Sequence, residues 1–233
     1  MITLYAITDH PTAALPAGVG LHAVADGELS AVCGPAIAKE ISADALWAHE
    51  RLVEVLMDGR DLLPVRYGTS LPDDAAAARA LEERHGTYAA ALERVRGAVE
   101  LAVRVFGEGG GASADDPSPG ERSPDRGPRE RSAAPDGRGD PPGAGAAYLR
   151  ARARAAAAEA QARTRVHEPL ARAARATALA PLPRAGELLR AAYLVDRDAT
   201  AAFTARVRDV QERCPKLRIT CTGPWPPYSF AGS

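Results

Sequence analysis

The sequence predicts an α+β protein in two folded halves, separated by a long stretch without regular structure. Three observations carry this reading. Short apolar runs such as ITLYAI (2–7) and AVELAVRV (98–105) recur between segments whose apolar residues repeat every three to four positions. Asp26-Gly27 stands between two such runs and signals a hairpin, because both residues tolerate positive φ. From Gly107 to about Gly145 the chain is Gly, Pro, Ser and mixed charge, so no core offsets the entropy of ordering it. The predicted division is an N-terminal α+β domain over 1–106, a disordered low-complexity insert over 107–146 and a C-terminal α+β domain over 147–233.

In the N-terminal half, strands are expected at 2–7, 19–24 and 28–34, the last two joined by the hairpin. Ser42 reads as an N-cap, and Leu46, Val53 and Met57 place an apolar stripe on a helix ending near Gly59. LLPVRYGTS (62–70) reads as a short strand, with Pro64 marking an edge or a strand start. Asp73 and Asp74 open a second helix, where carboxylates suit the positive dipole end. Its buried side carries Leu81, Tyr88, Leu92 and Val95. In 98–105, Val99, Leu101, Val103 and Val105 alternate onto one face.

The second half opens with 148–179, rich in Ala and Arg and therefore helical, with Pro169 as a kink or break. LLRAAYLVD (188–196) is a strand, and Asp198 is the expected N-cap of a helix with Phe203, Val207 and Val210 on one side. Cys214-Pro215 stops that helix, and LRITC (217–221) alternates again. Helix, strand, helix, strand is part of a ferredoxin-like split βαβ arrangement. Strand 98–105 either closes the first domain or crosses the insert to join the second, in which case the first ends near residue 97.

Composition excludes several functions. A formal net charge of −1 argues against binding nucleic acid or an anionic lipid membrane, which needs surplus Lys and Arg. No apolar run approaches the roughly 20 residues that cross a bilayer. MITLYAITDH lacks a basic, apolar leader, so a cytoplasmic protein is expected. Cys33, Cys214 and Cys221 have no metal-ligand spacing and read as reduced thiols. The arginines of 150–175 are spread around their helix without interleaved aromatics, as on a solvated face.

A search for chemistry finds no catalytic constellation, no metal site and no cofactor motif. GEGGGAS lies in the insert, not between a strand and a helix, and cradles no phosphate. The histidines at 10, 22, 49, 85 and 167 are scattered. His49-Glu50 are neighbours on a helix and point about 100° apart, so they do not converge on one ligand. Arg66 lies in an apolar strand and is expected to pair with a carboxylate. The alternative is a small-molecule-binding or enzymatic domain built on Arg66 and His49.

The tail CTGPWPPYSF (221–230) holds Trp225, Tyr228 and Phe230, three of the eleven aromatics (2 Trp, 6 Tyr, 3 Phe). Its prolines and glycine forbid helix, so it is expected to leave the sheet at Gly223 as extended polyproline-like chain. Each ring carries on the order of 150–250 Å² of surface. Either the rings fold back to clamp their own domain, the reading preferred for Trp225, or they dock a partner. For Tyr228 and Phe230 both readings stand.

AAYLVDRDATAAFTARVRDVQERCPKLRITCTGPWPPYSF (191–230) resembles the C-terminal signature of the gas vesicle proteins GvpF and GvpL. YAITD (5–9), the hairpin leading to AVCG and the LPVRYGTS strand agree, with Tyr67 where the family usually has phenylalanine. The resemblance implies two α+β domains, the second a modified ferredoxin-like fold. It implies a non-catalytic accessory factor of gas vesicle assembly, cytoplasmic or on the vesicle. Its partners would be the small hydrophobic shell protein GvpA and other accessory Gvp proteins. Trp225, Tyr228, Phe230, Arg66 and Tyr67 are the candidate partner-binding or domain-clamping residues.

Overall fold

The computed structural model describes residues 1–9, 15–16, 18–36, 42–107, 144–180 and 186–232. Most of the predicted insert, 107–146, lies outside the described residues, as does His10. Two antiparallel sheets organise the rest.

The first sheet contains β1 (Ile2–Thr8), β2 (His22–Asp26), β3 (Leu29–Pro35), β4 (Leu62–Pro64) and β5 (Ser70–Leu71). Its order is β2-β3-β1-β4, with β5 also paired to β1. The hairpin forms where Asp26-Gly27 predicts it: Asp26 pairs with Leu29, and Gly27 takes a φ of +59°. Two helices cover the two faces. α1 (Ala43–Met57) starts at Ser42, whose Oγ accepts from the Ala45 N–H at 3.1 Å. α2 (Asp74–Val95) starts at Asp73, whose Oδ1 accepts from the Ala76 N–H at 2.9 Å. Successive strand residues face opposite ways. Leu29, Ala31 and Cys33 therefore join Leu81, Leu92 and Val95 of α2, while Val32 meets Val53 and Leu56 of α1.

The second sheet contains β6 (Ala98–Phe106), β7 (Ala176–Leu179), β8 (Glu187–Asp196) and β9 (Arg218–Trp225), in the order β7-β8-β6-β9 with every pairing antiparallel. A strand that precedes the insert is thus central in the sheet that follows it. Leu101, Val103, Val105, Tyr193 and Val195 face three helices, α3 (Ala144–Ala162), α4 (Glu168–Ala171) and α5 (Thr200–Arg213). Ala192 and Leu194, on the opposite face, join the core of α2. Burial on both faces explains why Ala98 and Glu100 are buried although the alternation of β6 favours only its odd residues.

Four local expectations are corrected, and the expected kink or break at Pro169 takes the form of a π turn. The helix predicted over 148–179 ends at Ala171, and 176–179 is β7, because pairing with β8 outweighs alanine's helical preference. A π turn, Arg163–His167, joins α3 to α4, with the Glu168 N–H reaching Arg163 O, just before Pro169. Proline has no N–H and crowds the carbonyl four residues back, which a wider turn relieves. The single strand 62–70 is two short strands around a loop, in which Gly68 takes a φ of +84°. Asp198 caps nothing: α5 follows a 3-10 turn at Arg197–Ala199, and its N-cap, Ala199, makes no side-chain bond. Finally, the tail does not leave the sheet at Gly223, since β9 continues to Trp225.

Candidate functional site

The closing residues fold back over both halves. Gly223 has a φ of +121°, and a Cβ there would sit 2.8 Å from Glu100 O and 3.0 Å from Leu101 Cδ2. Only glycine lets β9 approach β6 so closely. Beyond Trp225 the chain turns rather than extends, with the Tyr228 N–H donating to Pro226 O at 2.8 Å and the Phe230 N–H to Pro227 O at 3.0 Å. Phe230 is 5% exposed and inserts into the core between the first sheet and α2. The Ser229 N–H and Oγ donate to the two oxygens of Glu100, at 2.8 and 2.9 Å. The Tyr228 hydroxyl donates to Glu50 Oε1 of α1 at 3.2 Å.

Electrostatics follow from this burial. Desolvation pushes the Glu100 carboxyl above the usual glutamate range, while its two bonds from Ser229 act against that. Glu50 is also raised by burial, opposed by the Tyr228 bond and aided by nearby Glu54. Tyr228 is raised by burial and by Glu50, so its hydroxyl remains a donor. Trp225 is half-buried and donates from Nε1 to Thr222 Oγ1 at 3.2 Å.

The second candidate segment meets the residue beside Glu50. His49 is buried, stacked on Tyr5 with ring centroids 5.0 Å apart and edge-on to Tyr67 at 5.5 Å. Its Nε2 lies 2.9 Å from Val65 O. Burial holds His49 below the ordinary histidine range, and a carbonyl only accepts, so the neutral ring carries its proton on Nε2. Tyr67 is half-buried. Arg66 is exposed and, among the described residues, pairs with no carboxylate, which corrects the expected ion pair. The strand ends at Pro64, so Arg66 sits in a loop where its guanidinium stays hydrated. Consecutive residues of α1 thus hold Tyr67 and Tyr228. Arg66 and His49 lie close in the chain but in different surroundings, one in solvent and one sealed between rings.

Sequence reasoning missed a further contact between the halves. Arg197, between β8 and α5, donates to Met57 O at 3.1 Å and Arg60 O at 2.7 Å, closing the C-terminal end of α1. It also reaches Asp61 Oδ1 at 3.4 Å, and the same oxygen accepts the Gly97 N–H at 2.8 Å. Nearby, Arg96 pairs with Asp9 at 2.7 Å and Arg175 pairs with Asp196. YAITD and AYLVDRD, the stretches on which the resemblance rests, therefore meet at one junction. An arginine just past a strand carries no sequence signal for capping a helix some 140 residues away.

Chemically this is a junction between the two halves. Its carboxylates are engaged by Ser229, Tyr228 and Arg197, and among the described residues no group of three His, Cys, Asp or Glu could hold a metal ion. The three thiols are free, and burial pushes that of Cys33 up to about 11. No helix of the described residues is long and apolar enough to cross a membrane. The outer edge of β9 is partly sealed by the Gln211 amide, which accepts from the Ile219 N–H at 2.7 Å and donates to Leu217 O at 2.6 Å.

Comparison with known proteins agrees with this frame. A family profile described as gas vesicle synthesis protein GvpL/GvpF matches residues 2–232. The chain is 32% identical over 205 residues to gas vesicle protein L of Streptomyces sp. (strain CB03234), covering 82% of this chain and 70% of that protein. It is 31% identical over 190 residues to gas vesicle protein F of the same strain, covering 79% and 76%. The fold matches the crystal structure of the gas vesicle protein GvpF from Anabaena sp. PCC7120 with a TM-score of 0.75 at 16% identity, over 100% of this chain and 96% of that one.

Proposed function

The chain belongs to the GvpL/GvpF family of gas vesicle synthesis proteins, and from that premise we propose that it is an assembly adaptor for the vesicle shell. It takes part in gas vesicle formation, in a family of assembly proteins rather than enzymes. In this reading it holds the small hydrophobic shell protein GvpA and meets other accessory Gvp proteins, in the cytoplasm and at the vesicle. The observation that carries it is the engagement of the junction's buried carboxylates in joining the two halves, which leaves a rigid body with surfaces instead of a reactive cleft. An unassembled shell subunit exposes apolar surface, and a rigid partner that covers it prevents aggregation.

The two halves are read here as two units divided at Arg96-Gly97, because β6 pairs only within the second sheet. That sheet runs β9-β6-β8-β7 with helical crossovers after β6 and β8, which supports a ferredoxin-like second unit. Tyr228 and Phe230 are assigned to clamping. Half-buried Trp225 and Tyr67, with exposed Arg66, are assigned to the partner-facing surface beside α1. Strand addition at β9 is disfavoured because Gln211 already occupies part of that edge.

Purified GvpA pulled down by Trp225→Ala and Arg66→Ala variants tests the assignment. Both are expected to melt as the parent does and to lose most of the captured GvpA. Undiminished capture by the folded double variant would sink it. Deleting 223–233 is a poorer test, since it also removes Phe230 from the core.

A further inference from the structure

The closing residues form a strap whose backbone is tied to no other element. β9 ends at Trp225, which pairs with Glu100 of β6. Beyond it the backbone bonds are internal, from the Tyr228 N–H to Pro226 O and from the Phe230 N–H to Pro227 O. Among the described residues, no backbone-to-backbone hydrogen bond joins 226–232 to the rest of the chain. Phe230 in the first core, the buried rings of Pro226 and Pro227, and two carboxylates hold the strap down. A segment with so few attachments opens without unfolding the remainder.

The two carboxylates come from opposite halves and are gripped by consecutive residues. Glu50 of α1 meets the Tyr228 hydroxyl, and Glu100 of β6 meets the Ser229 N–H and hydroxyl. The groups around them are neutral or acidic. Glu50 faces Tyr228 and Glu54, Glu100 faces Ser229, and Tyr228 feels Glu50, Glu54 and Glu100 together. Tyr5, packed in the same cluster as Tyr228, is kept neutral by burial. Among the described residues, no Lys or Arg pairs with any of the three glutamates.

The chemistry of the grip tolerates protonation. A hydroxyl either donates or accepts. When Glu100 takes up a proton, its O–H can donate to Ser229 Oγ while its other oxygen still accepts the Ser229 N–H. Glu50 and Tyr228 reverse in the same way. Protonation therefore removes a charge and loses no hydrogen bond. Ionisation keeps the bonds but leaves uncompensated charge in a partly dry site. Burial accordingly raises both carboxyls above the ordinary glutamate range.

We propose that residues 226–232 are a latch between the halves, tightened by acid and loosened as pH rises. The closed strap binds protons more tightly than the open one, whose carboxylates meet water. Closure is thus fullest below the ordinary glutamate value and weakens as pH climbs through the raised one. Opening withdraws Phe230 and uncovers its apolar seat between the first sheet and α2. His49, the other titratable neighbour on α1, is sealed between Tyr5 and Tyr67 and held low by burial, so it acts in the opposite direction.

Hydrogen exchange of the full chain tests this, read on the closing peptide from about pH 5 to about pH 9 and divided by the intrinsic rate at each pH. The Ser229 and Phe230 amides are expected to exchange faster than those of Val103 and Val105 in β6, and to lose protection about threefold or more as pH rises. Glu50→Gln with Glu100→Gln keeps the shape and the hydrogen-bonding partners without the charges, and is expected to hold strap protection level across the range. Each single variant is expected to show a shallower fall than the parent, which carries the test if the double variant does not fold. Strap protection in the parent that is flat with pH overturns the proposal. So does a fall that neither single variant reduces, or a strap that exchanges only as slowly as β6. The experiment uses this chain alone, so its failure leaves the shell-protein reading standing.

Discussion

Two of the joints between the halves work by different physics. At the tail, Phe230 is packed into the first core while Glu50 and Glu100 are held by hydroxyl and N–H donors, with burial opposing their charge. At the other joint, Arg197 brings a cation to the carbonyls ending α1 and to Asp61, and both side chains are partly exposed to solvent. The tail gains from area removed from water and is penalised for its charges. The arginine joint gains from charge-assisted hydrogen bonds and is tempered by solvent. The tail joint thus favours protonation of its two carboxylates.

The largest expected effect comes from emptying the apolar joint. Phe230→Ala removes a buried ring and is expected to lower stability by about 3–5 kcal/mol. Urea denaturation measures it, and a loss under about 1 kcal/mol would mean that the tail is not part of the core. Next is the polar joint. Arg197→Ala leaves two carbonyls and the Asp61 carboxylate short of a donor and is expected to lose about 1–3 kcal/mol. Unchanged stability would demote Arg197 to a surface contact.

The smallest effect tests the tail joint by pH. Glu50 and Glu100 are raised above the ordinary glutamate range, so they bind protons more tightly folded than unfolded. The stability they contribute is full below the ordinary glutamate value and is lost as pH rises through the raised folded value. His49 and His167, held low by burial, act oppositely: theirs is full above the ordinary histidine value and lost as pH falls. A difference measurement isolates Glu100. Glu100→Gln keeps an acceptor and a donor for Ser229 without the buried charge. It is expected to melt slightly above the parent at neutral pH, with the advantage closing on acidification. A deficit of constant size across that range would show instead that the charge itself holds Ser229.

Much of the scaffold was legible in the residues. Ser42 and Asp73 announced their helices because a short oxygen acceptor before an apolar repeat satisfies an orphan N–H locally. Asp26-Gly27 fixed a hairpin for the same local reason. Phe203, Val207 and Val210 stood on one buried side of α5, as their spacing required. The failures share a cause. The strand at 176–179 looked helical because alanine prefers helix until a partner strand arrives. Arg66 looked buried because five apolar letters precede or follow it, yet the strand stops at Pro64. At the candidate site, the sequence showed that Tyr228 and Phe230 needed cover but not where Glu50 and Glu100 would stand.

By itself, the sequence determined the starts of α1 and α2, the hairpin, the α+β alternation and the aromatic weight of the tail. Each depends on residues within a turn or two of one another, where spacing stands for distance. Only the tertiary structure decided that β6 serves the second sheet, that Phe230 enters the core of the first, and that Arg197 closes α1. Those contacts join residues more than eighty positions apart, and no periodicity encodes which distant groups burial will bring together.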